Sequence, residues 1–175
     1  MTIYREESGM YKIGDRVIYG IHGVCVVADQ EERMVDGMKR GYLVLEPIKQ
    51  DGSRYLIPQN NSAAMGKLRR MLSEQELTEL LDKQRDSETV WNRDENQRKQ
   101  MYRELIGSGD REKLIQTVRA LYIHKAAQAI SGRKFHLCDE NFLRDAEKLL
   151  ASEISVVLNM TDEDAKQFLR KKLHG

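Results

Sequence analysis

Residues 11–23 read Tyr11-Lys12-Ile13-Gly14-Asp15-Arg16-Val17-Ile18-Tyr19-Gly20-Ile21-His22-Gly23 and set the architecture of the first third of the chain. Within this segment, Arg16–Tyr19 is rich in β-branched and aromatic residues and lies between glycines, a pattern typical of a short strand bounded by turns. His22 lies in the tight connection that follows, where we interpret it as a turn or packing residue. The chain therefore begins with a β-rich region.

The same strand pattern occurs three more times before residue 67, in the segments Val24–Val27, Tyr42–Leu45 and Arg54–Ile57. Asp36-Gly37 and Asp51-Gly52 predict hairpin turns between them, because glycine tolerates a positive φ. Pro58 is expected to end the last strand or lie on a sheet edge, because it has no N–H to donate. We therefore predict a small antiparallel, barrel-like β domain over residues 8–66.

Beyond that region the apolar period changes from two residues to 3.6, which predicts helices. Ser73-x-x-Glu76 has the pattern of a capping box before Leu77, Leu80 and Leu81. A second helix is predicted over residues 92–106, where the apolar side chains are confined to the last turns. Gly107-Ser108-Gly109 is expected to end it.

Three further helices follow in the pattern, with Asp110, Asp139 and Thr161 as the expected N-caps. The first of them, ended by Gly132, carries an apolar stripe expected to face the core: Leu114, Ile115, Val118, Leu121, Tyr122 and Ala126. The pattern predicts a compact all-α domain of four to five helices over residues 67–173. The fold class is therefore α+β.

The charge balance provides no bulk attraction to nucleic acid, since Lys and Arg total 29 and Asp and Glu total 28. The β region, residues 1–66, holds 8 basic and 9 acidic side chains. Residues 83–119 hold 9 basic and 7 acidic side chains, a small local excess. Any nucleic-acid contact must therefore come from a local patch.

The sequence shows none of the usual catalytic or cofactor-binding motifs. The four histidines lack HExxH or paired-cysteine spacing, and His136-x-Cys138 has no second pair to complete a zinc site. No phosphate-binding GxxxxGK[ST] or GxGxxG is present. We therefore predict a protein that is not an enzyme and uses no cofactor or metal.

The expected location is the cytoplasm. No apolar run approaches the roughly 18 residues that a membrane span needs, and the first residues lack a signal-peptide core. Cys25 and Cys138 lie far apart, which is normal in a reducing compartment. No membrane contact is expected, and the chain is predicted to be a monomer or a weak dimer.

Trp91, the only tryptophan, precedes nine residues without an aliphatic or aromatic side chain. Two interpretations follow from this position. Val90 and Trp91 could form a hydrophobic staple that pins the entry of the helix. Alternatively, the ring could be an exposed anchor for a partner.

The two regions together resemble the bacterial CarD/CdnL transcription regulators. The segment Tyr11–Gly23, followed by Tyr42–Leu45 and Ile57-Pro58, resembles their RNA-polymerase-interacting domain, which is related to a module of the transcription-repair coupling factor. The Trp91 segment, Ser108-Gly109-Asp110 and the later Ala146-Glu147-Lys148-Leu149-Leu150 resemble their C-terminal domain. The resemblance covers about residues 10–170.

This resemblance implies a β-rich, Tudor-like module that docks on the RNA polymerase β subunit. It also implies a helical domain that meets promoter DNA at the upstream edge of the bubble. A tryptophan there acts as a wedge that favours the open complex, which makes Trp91 the expected wedge. The expected phosphate contacts are Arg93, Arg98, Lys99 and Arg103. The expected polymerase contacts are Arg33, Arg54 and Leu56.

The sequence departs from better-known family members around the wedge. They carry a denser basic run after the tryptophan and about one helical turn less before the Ser-Gly-Asp turn. Asp94 and Glu95 also oppose phosphate contact, so promoter DNA is expected to bind weakly and largely without sequence specificity. A protein–protein adaptor that binds polymerase and recruits another protein is the main alternative. A barrel that binds single-stranded nucleic acid is a third, which the balance of charge in the β region disfavours.

Overall fold

A computed structural model describes residues 11–49 and 51–174. Within these residues the chain divides into two compact units between Met71 and Leu72. The first unit is built on a sheet and the second on helices, which confirms the predicted α+β class. The division lies later than residue 66, because the short strand Leu68–Arg70 pairs with the sheet.

The first unit is a five-stranded antiparallel sheet in the order β4-β3-β2-β1-β5. Its strands are β1 Arg16–Tyr19, β2 Val24–Val35, β3 Met38–Pro47, β4 Tyr55–Pro58 and β5 Leu68–Arg70, with a short helix, α1 Ser62–Met65, before β5. The four strand segments predicted from the sequence all lie in strands, apart from Arg54, which lies just before β4. β2 and β3 are longer than expected, at 12 and 10 residues, and β5 was not predicted.

Both predicted turns lie where the sequence placed them. Asp36 and Gly37 have φ values of 51° and 76° and join β2 to β3, so Val35 pairs with Met38. Gly52, with φ of 82°, lies between β3 and β4, and the carboxylate of Asp51 accepts the Ser53 N–H. Pro58 ends β4 on an edge of the sheet, as predicted.

One face of the sheet carries the apolar core of the unit. Alternate residues of a strand point to the same face, and those buried together are Val17, Cys25, Val27, Leu43, Leu45, Ile57 and Leu68. The opposite face carries the side chains that alternate with them on β2, β3 and β4. A β-bulge between Val27 and Asp29 shifts this alternation by one residue, so Glu31 and Arg33 lie on the opposite face.

The second unit contains five helices: α2 Glu74–Arg85, α3 Glu95–Ser108, α4 Arg111–Ile130, α5 Leu137–Val157 and α6 Asp162–His174. The capping box of Ser73 and Glu76 is present at the start of α2. Asp110 caps α4, the Thr161 hydroxyl accepts the Asp164 N–H at the start of α6, and Gly109 ends α3 with a φ of 67°. Short-range signals therefore predicted most helix ends.

Two predictions about helix starts were wrong. The second helix begins at Glu95 rather than at residue 92, because the Asp94 side chain accepts the Gln97 N–H and caps it there. Asp139 does not cap the fourth helix: α5 begins at Leu137, and Asp139 is buried within its first turn. A buried guanidinium from α3, described below, binds this carboxylate instead.

The helical core is formed by inward residues of all five helices. Those with no exposed surface are Leu81, Val118, Leu121, Ala146, Ala165 and Leu169. The predicted stripe on α4 is buried except at its end, where Ala126 is exposed, contrary to prediction. No helix among the described residues is both long enough and apolar enough to span a bilayer.

Candidate functional site

Trp91 lies in the connection between α2 and α3, three residues before the cap Asp94. Its ring is half-buried against the helical core, whereas the neighbouring Val90 side chain is 89% exposed. The two residues therefore do not together form a hydrophobic staple, which was one of the two interpretations of this position. Trp91 packs against the domain, and Val90 extends from the surface beside it.

The Trp91 ring is held by two side chains from different helices. The imidazole of His124, on α4, stacks on it with 3.8 Å between ring centroids and 15° between planes. The guanidinium carbon of Arg98, on α3, lies 4.7 Å from the indole centroid, a cation–π distance. The orientation of the ring is therefore set by tertiary contacts.

Arg98 is buried, with 3% of its surface exposed, and its guanidinium is bound on several sides. Nε and Nη2 donate to the two oxygens of Asp139 at 3.0 and 2.9 Å. Nη1 donates to the backbone carbonyls of Asn92 and Arg93 at 3.1 and 3.2 Å. Arg98 therefore ties the segment after Trp91 to α3 and α5 and does not reach the surface. The expectation that Arg98 contacts phosphate is therefore wrong, because its guanidinium is buried.

Asp139 receives a third hydrogen bond from the Tyr102 hydroxyl at 2.7 Å. Burial opposes the charge of this carboxyl, but the hydrogen bonds from Arg98 and Tyr102 outweigh it and lower the pKa of Asp139 below its ordinary value. The hydrogen bonds to Asp139 likewise raise the pKa of Arg98. The pair is therefore ionised at neutral pH, as a charged anchor beneath the tryptophan.

The other predicted basic residues lie closer to solvent. Arg93 is exposed in the connection that follows Trp91. Lys99 forms an ion pair with Glu95 at 2.6 Å, and the Arg103 Nε donates to the Lys99 carbonyl one turn later. Lys99 and Arg103 therefore share a face of α3, as residues four positions apart on a helix do.

The structure adds residues that the sequence did not connect with Trp91. His124 lies 6.1 Å, between ring centroids, from Phe135, which follows the exposed Arg133 and Lys134. These two basic residues are far from Trp91 in the sequence. A chain of ring contacts, which no short-range spacing reveals, links the loop that holds them to the tryptophan.

Arg33, Arg54 and Leu56 share the face of the first unit opposite its apolar core. Arg33 binds Glu31 at 2.7 Å and lies 5.9 Å from the Tyr42 ring centroid. Glu31 pairs with Tyr42 in the sheet, and Leu56 pairs with Val44. Because Tyr42 and Val44 are alternate residues of β3, the side chains of Glu31 and Leu56 point to the same face.

Arg54, just before β4, forms an ion pair at 3.1 Å with Glu46 of β3, on the same face. Leu56 is 38% exposed on this face. The face therefore combines two arginines, which are half-exposed, with an accessible apolar side chain.

Comparison with protein-family models gives two matches. A model described as the CarD-like/TRCF RID domain matches residues 11–71. A model described as the CarD C-terminal domain matches residues 76–170. The first match covers the sheet unit and the second covers most of the helical unit, in the order in which the chain presents them.

Proposed function

The chain belongs to the CarD-like family of non-enzymatic transcription regulators that interact with RNA polymerase, and we propose that it acts at transcription initiation. In this proposal the sheet unit docks on the polymerase β subunit. The helical unit then places Trp91 as a wedge at the upstream edge of the promoter bubble and stabilises the open complex. A protein with this role works in the cytoplasm.

The observation that carries this proposal is the way in which neighbouring side chains hold the Trp91 ring. The ring is half-buried, stacked on His124 and backed by a buried ion pair, while Val90 beside it is exposed. A wedge that separates base steps must keep its orientation while the DNA yields. A ring whose freedom is already restricted in the free protein loses less entropy on binding.

Phosphate contacts in this proposal come from basic side chains of the helical unit that reach solvent. From the predicted set these are Arg93, Lys99 and Arg103, and the loop before Phe135 adds Arg133 and Lys134. Phosphate contacts set position without reading sequence. The patch is small, so polymerase must supply most of the binding energy by holding the helical unit near the promoter.

Replacing Trp91 with alanine is expected to shorten the lifetime of the open complex by roughly tenfold, corresponding to about 1.4 kcal/mol of lost stabilisation. Polymerase binding is expected to be unchanged, because the sheet unit provides it. The measurement is open-complex decay on a linear promoter, with the free variant first checked for cooperative unfolding.

Trp91→Phe is the matched control, since it keeps an aromatic ring at the same position, and it is expected to retain much of the effect. An unchanged open-complex lifetime with Trp91→Ala, under conditions where the variant saturates polymerase, would remove the wedge from the proposal.

Polymerase docking is tested by reversing a charge on the outward sheet face. Arg33→Glu is expected to weaken binding to polymerase about tenfold, because rim charges govern electrostatic complementarity. The fold should tolerate it, since the exposed pair with Glu31 contributes little stability. The measurement is the affinity of the full chain for polymerase core enzyme.

Lys39→Glu is the matched control on the same hairpin. Lys39 is exposed and lies on β3 next to Arg40, the residue opposite Arg33, so its side chain points to the other face. Equal losses for both variants would indicate non-specific attraction rather than docking through the outward face.

The alternative function is an adaptor that binds polymerase and recruits a further protein. Exposed apolar side chains at the end of α4 and the start of α5 favour it: Ile130 is 89% exposed and Leu137 is 74% exposed. Footprinting of the promoter–polymerase complex separates the two functions. An adaptor leaves the protection of upstream DNA unchanged, whereas a wedge alters it beside the bubble.

A further inference from the structure

The imidazole of His124 is the platform on which the indole of Trp91 rests. The ring centroids lie 3.8 Å apart and the ring planes are inclined by 15°, which is a face-to-face stacking contact. His124 lies on α4 directly after the exposed Ile123 and close to the buried Leu121 and Tyr122, which anchor this part of the helix. Its backbone position is therefore fixed by the core.

Two further contacts fix the imidazole itself. The Gln128 side-chain amide lies 3.1 Å from Nε2 of His124, one turn later on α4. The ring of Phe135, in the segment before α5, lies 6.1 Å from the imidazole between ring centroids and is tilted by 47° to it. His124 is thus held by its own helix and by the segment before α5 while it contacts Trp91.

We propose that His124 is a positioning residue that holds the Trp91 ring in the orientation required at the promoter. The proposal deepens the proposed function and rests on it for its consequence at DNA. Its first part is that His124 controls the orientation and solvent shielding of the indole. This part concerns the free protein and is tested independently of any effect at the promoter.

The charge of His124 bears on this role. The groups that face it are Asp139 and Arg98, which form the buried pair, and His136 at the start of α5. Burial lowers the pKa of His124, with the nearby positive charge of Arg98 acting in the same direction and Asp139 opposing it. The platform is therefore a neutral ring at physiological pH, and acid places a positive charge against the indole.

Fluorescence of Trp91 tests the first part directly, because it is the only tryptophan in the chain. His124→Ala is expected to shift the emission to the red and to increase quenching by acrylamide severalfold. His124→Phe keeps a flat ring and is expected to restore the wild-type spectrum. Ile123→Ala, a neighbour on the same helix with an exposed side chain, is the matched control and should change neither property.

The pH dependence of Trp91 fluorescence provides a second measurement, which a general loss of stability does not change. In the wild-type protein the fluorescence of Trp91 is expected to titrate below the usual imidazole range. With His124→Phe this transition should be missing, and with His136→Ala it should persist. A profile that is the same in the wild type and in His124→Phe would overturn the assignment.

Open-complex lifetime tests the second part. His124→Ala is expected to shorten it about threefold, with polymerase affinity unchanged, and His124→Phe is expected to restore it. Normal lifetimes with His124→Ala, despite altered fluorescence, would show that ring orientation does not matter at the promoter. If Trp91→Ala also leaves the lifetime unchanged, the wedge itself is refuted, whereas the fluorescence result for His124 stands.

Discussion

Replacement of Arg98 by methionine is expected to destabilise the helical unit by about 3–5 kcal/mol, because it leaves a buried carboxylate without its counter-charge. Asp139 has no exposed surface, and it takes two of its three hydrogen bonds from Arg98. The substitution also removes the donor that holds the carbonyls of Asn92 and Arg93. Urea unfolding followed by far-ultraviolet circular dichroism measures the loss.

Lys99→Met is the matched control, since Lys99 is the next residue on α3 and carries the same charge at the surface. Its ion pair with Glu95 is exposed and screened by solvent, so little change in stability is expected. Equal effects of the two substitutions would contradict the structural role assigned to Arg98.

A double replacement, Arg98→Met with Asp139→Leu, is expected to recover much of the lost stability, because buried ion pairs are often replaced by apolar residues at little cost. The recovery should be incomplete. The Tyr102 hydroxyl loses its acceptor, and the two carbonyls before α3 lose their donor. A fluorescence shift of Trp91 in the recovered double variant would show that Arg98 also holds the indole.

The second large effect is expected in acid, where the helical unit should lose stability as two of its buried carboxylates, Asp139 and Glu147, are protonated. Burial disfavours the charge of Glu147, as it does that of Asp139. Hydrogen bonds from Arg170 and Tyr122 outweigh this and lower the pKa of Glu147. Both carboxyls therefore have a pKa below their ordinary values in the folded protein.

A lowered pKa means that the unfolded chain binds protons first as the pH falls, so stability decreases with decreasing pH. The contribution of each carboxylate is full above about pH 5, because the ordinary pKa values are about 4. It declines below that and is gone once the pH is below the pKa of the folded state. Each unit of pKa depression corresponds to about 1.4 kcal/mol.

Urea unfolding at a series of pH values from neutral to about 3 measures this dependence. The Arg98→Met, Asp139→Leu variant should show a smaller loss in acid, since only Glu147 then contributes of the two. His124 adds a separate loss that begins nearer its ordinary pKa of 6.5, because its folded pKa is also lowered. His124→Phe should remove that component. A double variant with the acid dependence of the wild type would contradict the lowered pKa of Asp139.

Much of the architecture was predictable because its signals are local. The turn at Asp36-Gly37 follows from the tolerance of glycine for positive φ, and the start of α2 follows from the reciprocal bonds of Ser73 and Glu76. Even here a local rule was overruled: Asp139 has the right residue type for a helix cap, but the Arg98 guanidinium binds it inside the domain. β5 was missed because a three-residue strand with two arginines has no distinctive period.

The candidate site was predicted in part. Trp91 was conspicuous from its isolation in a polar segment, and of the basic residues expected with it, Arg93 and Arg103 are exposed and Lys99 is half-exposed. Arg98 has the same side chain as the exposed Arg93 and Arg103, and only its place on the buried side of α3 distinguishes it. His124 gave no signal, since a lone histidine on a helix does not indicate which ring it stacks against.

The order of strands and helices, the division into a sheet unit and a helical unit, and the family resemblance all follow from residues close together in the chain, because turns, caps and apolar periods are short-range interactions. The orientation of Trp91 and the burial of Arg98 depend on partners far away in the sequence, namely His124 and Asp139. Packing of α3, α4 and α5 brings these side chains together. Their contacts therefore exist only once the helices have assembled. Only then does a basic residue that is available to DNA differ from one that supports the tryptophan.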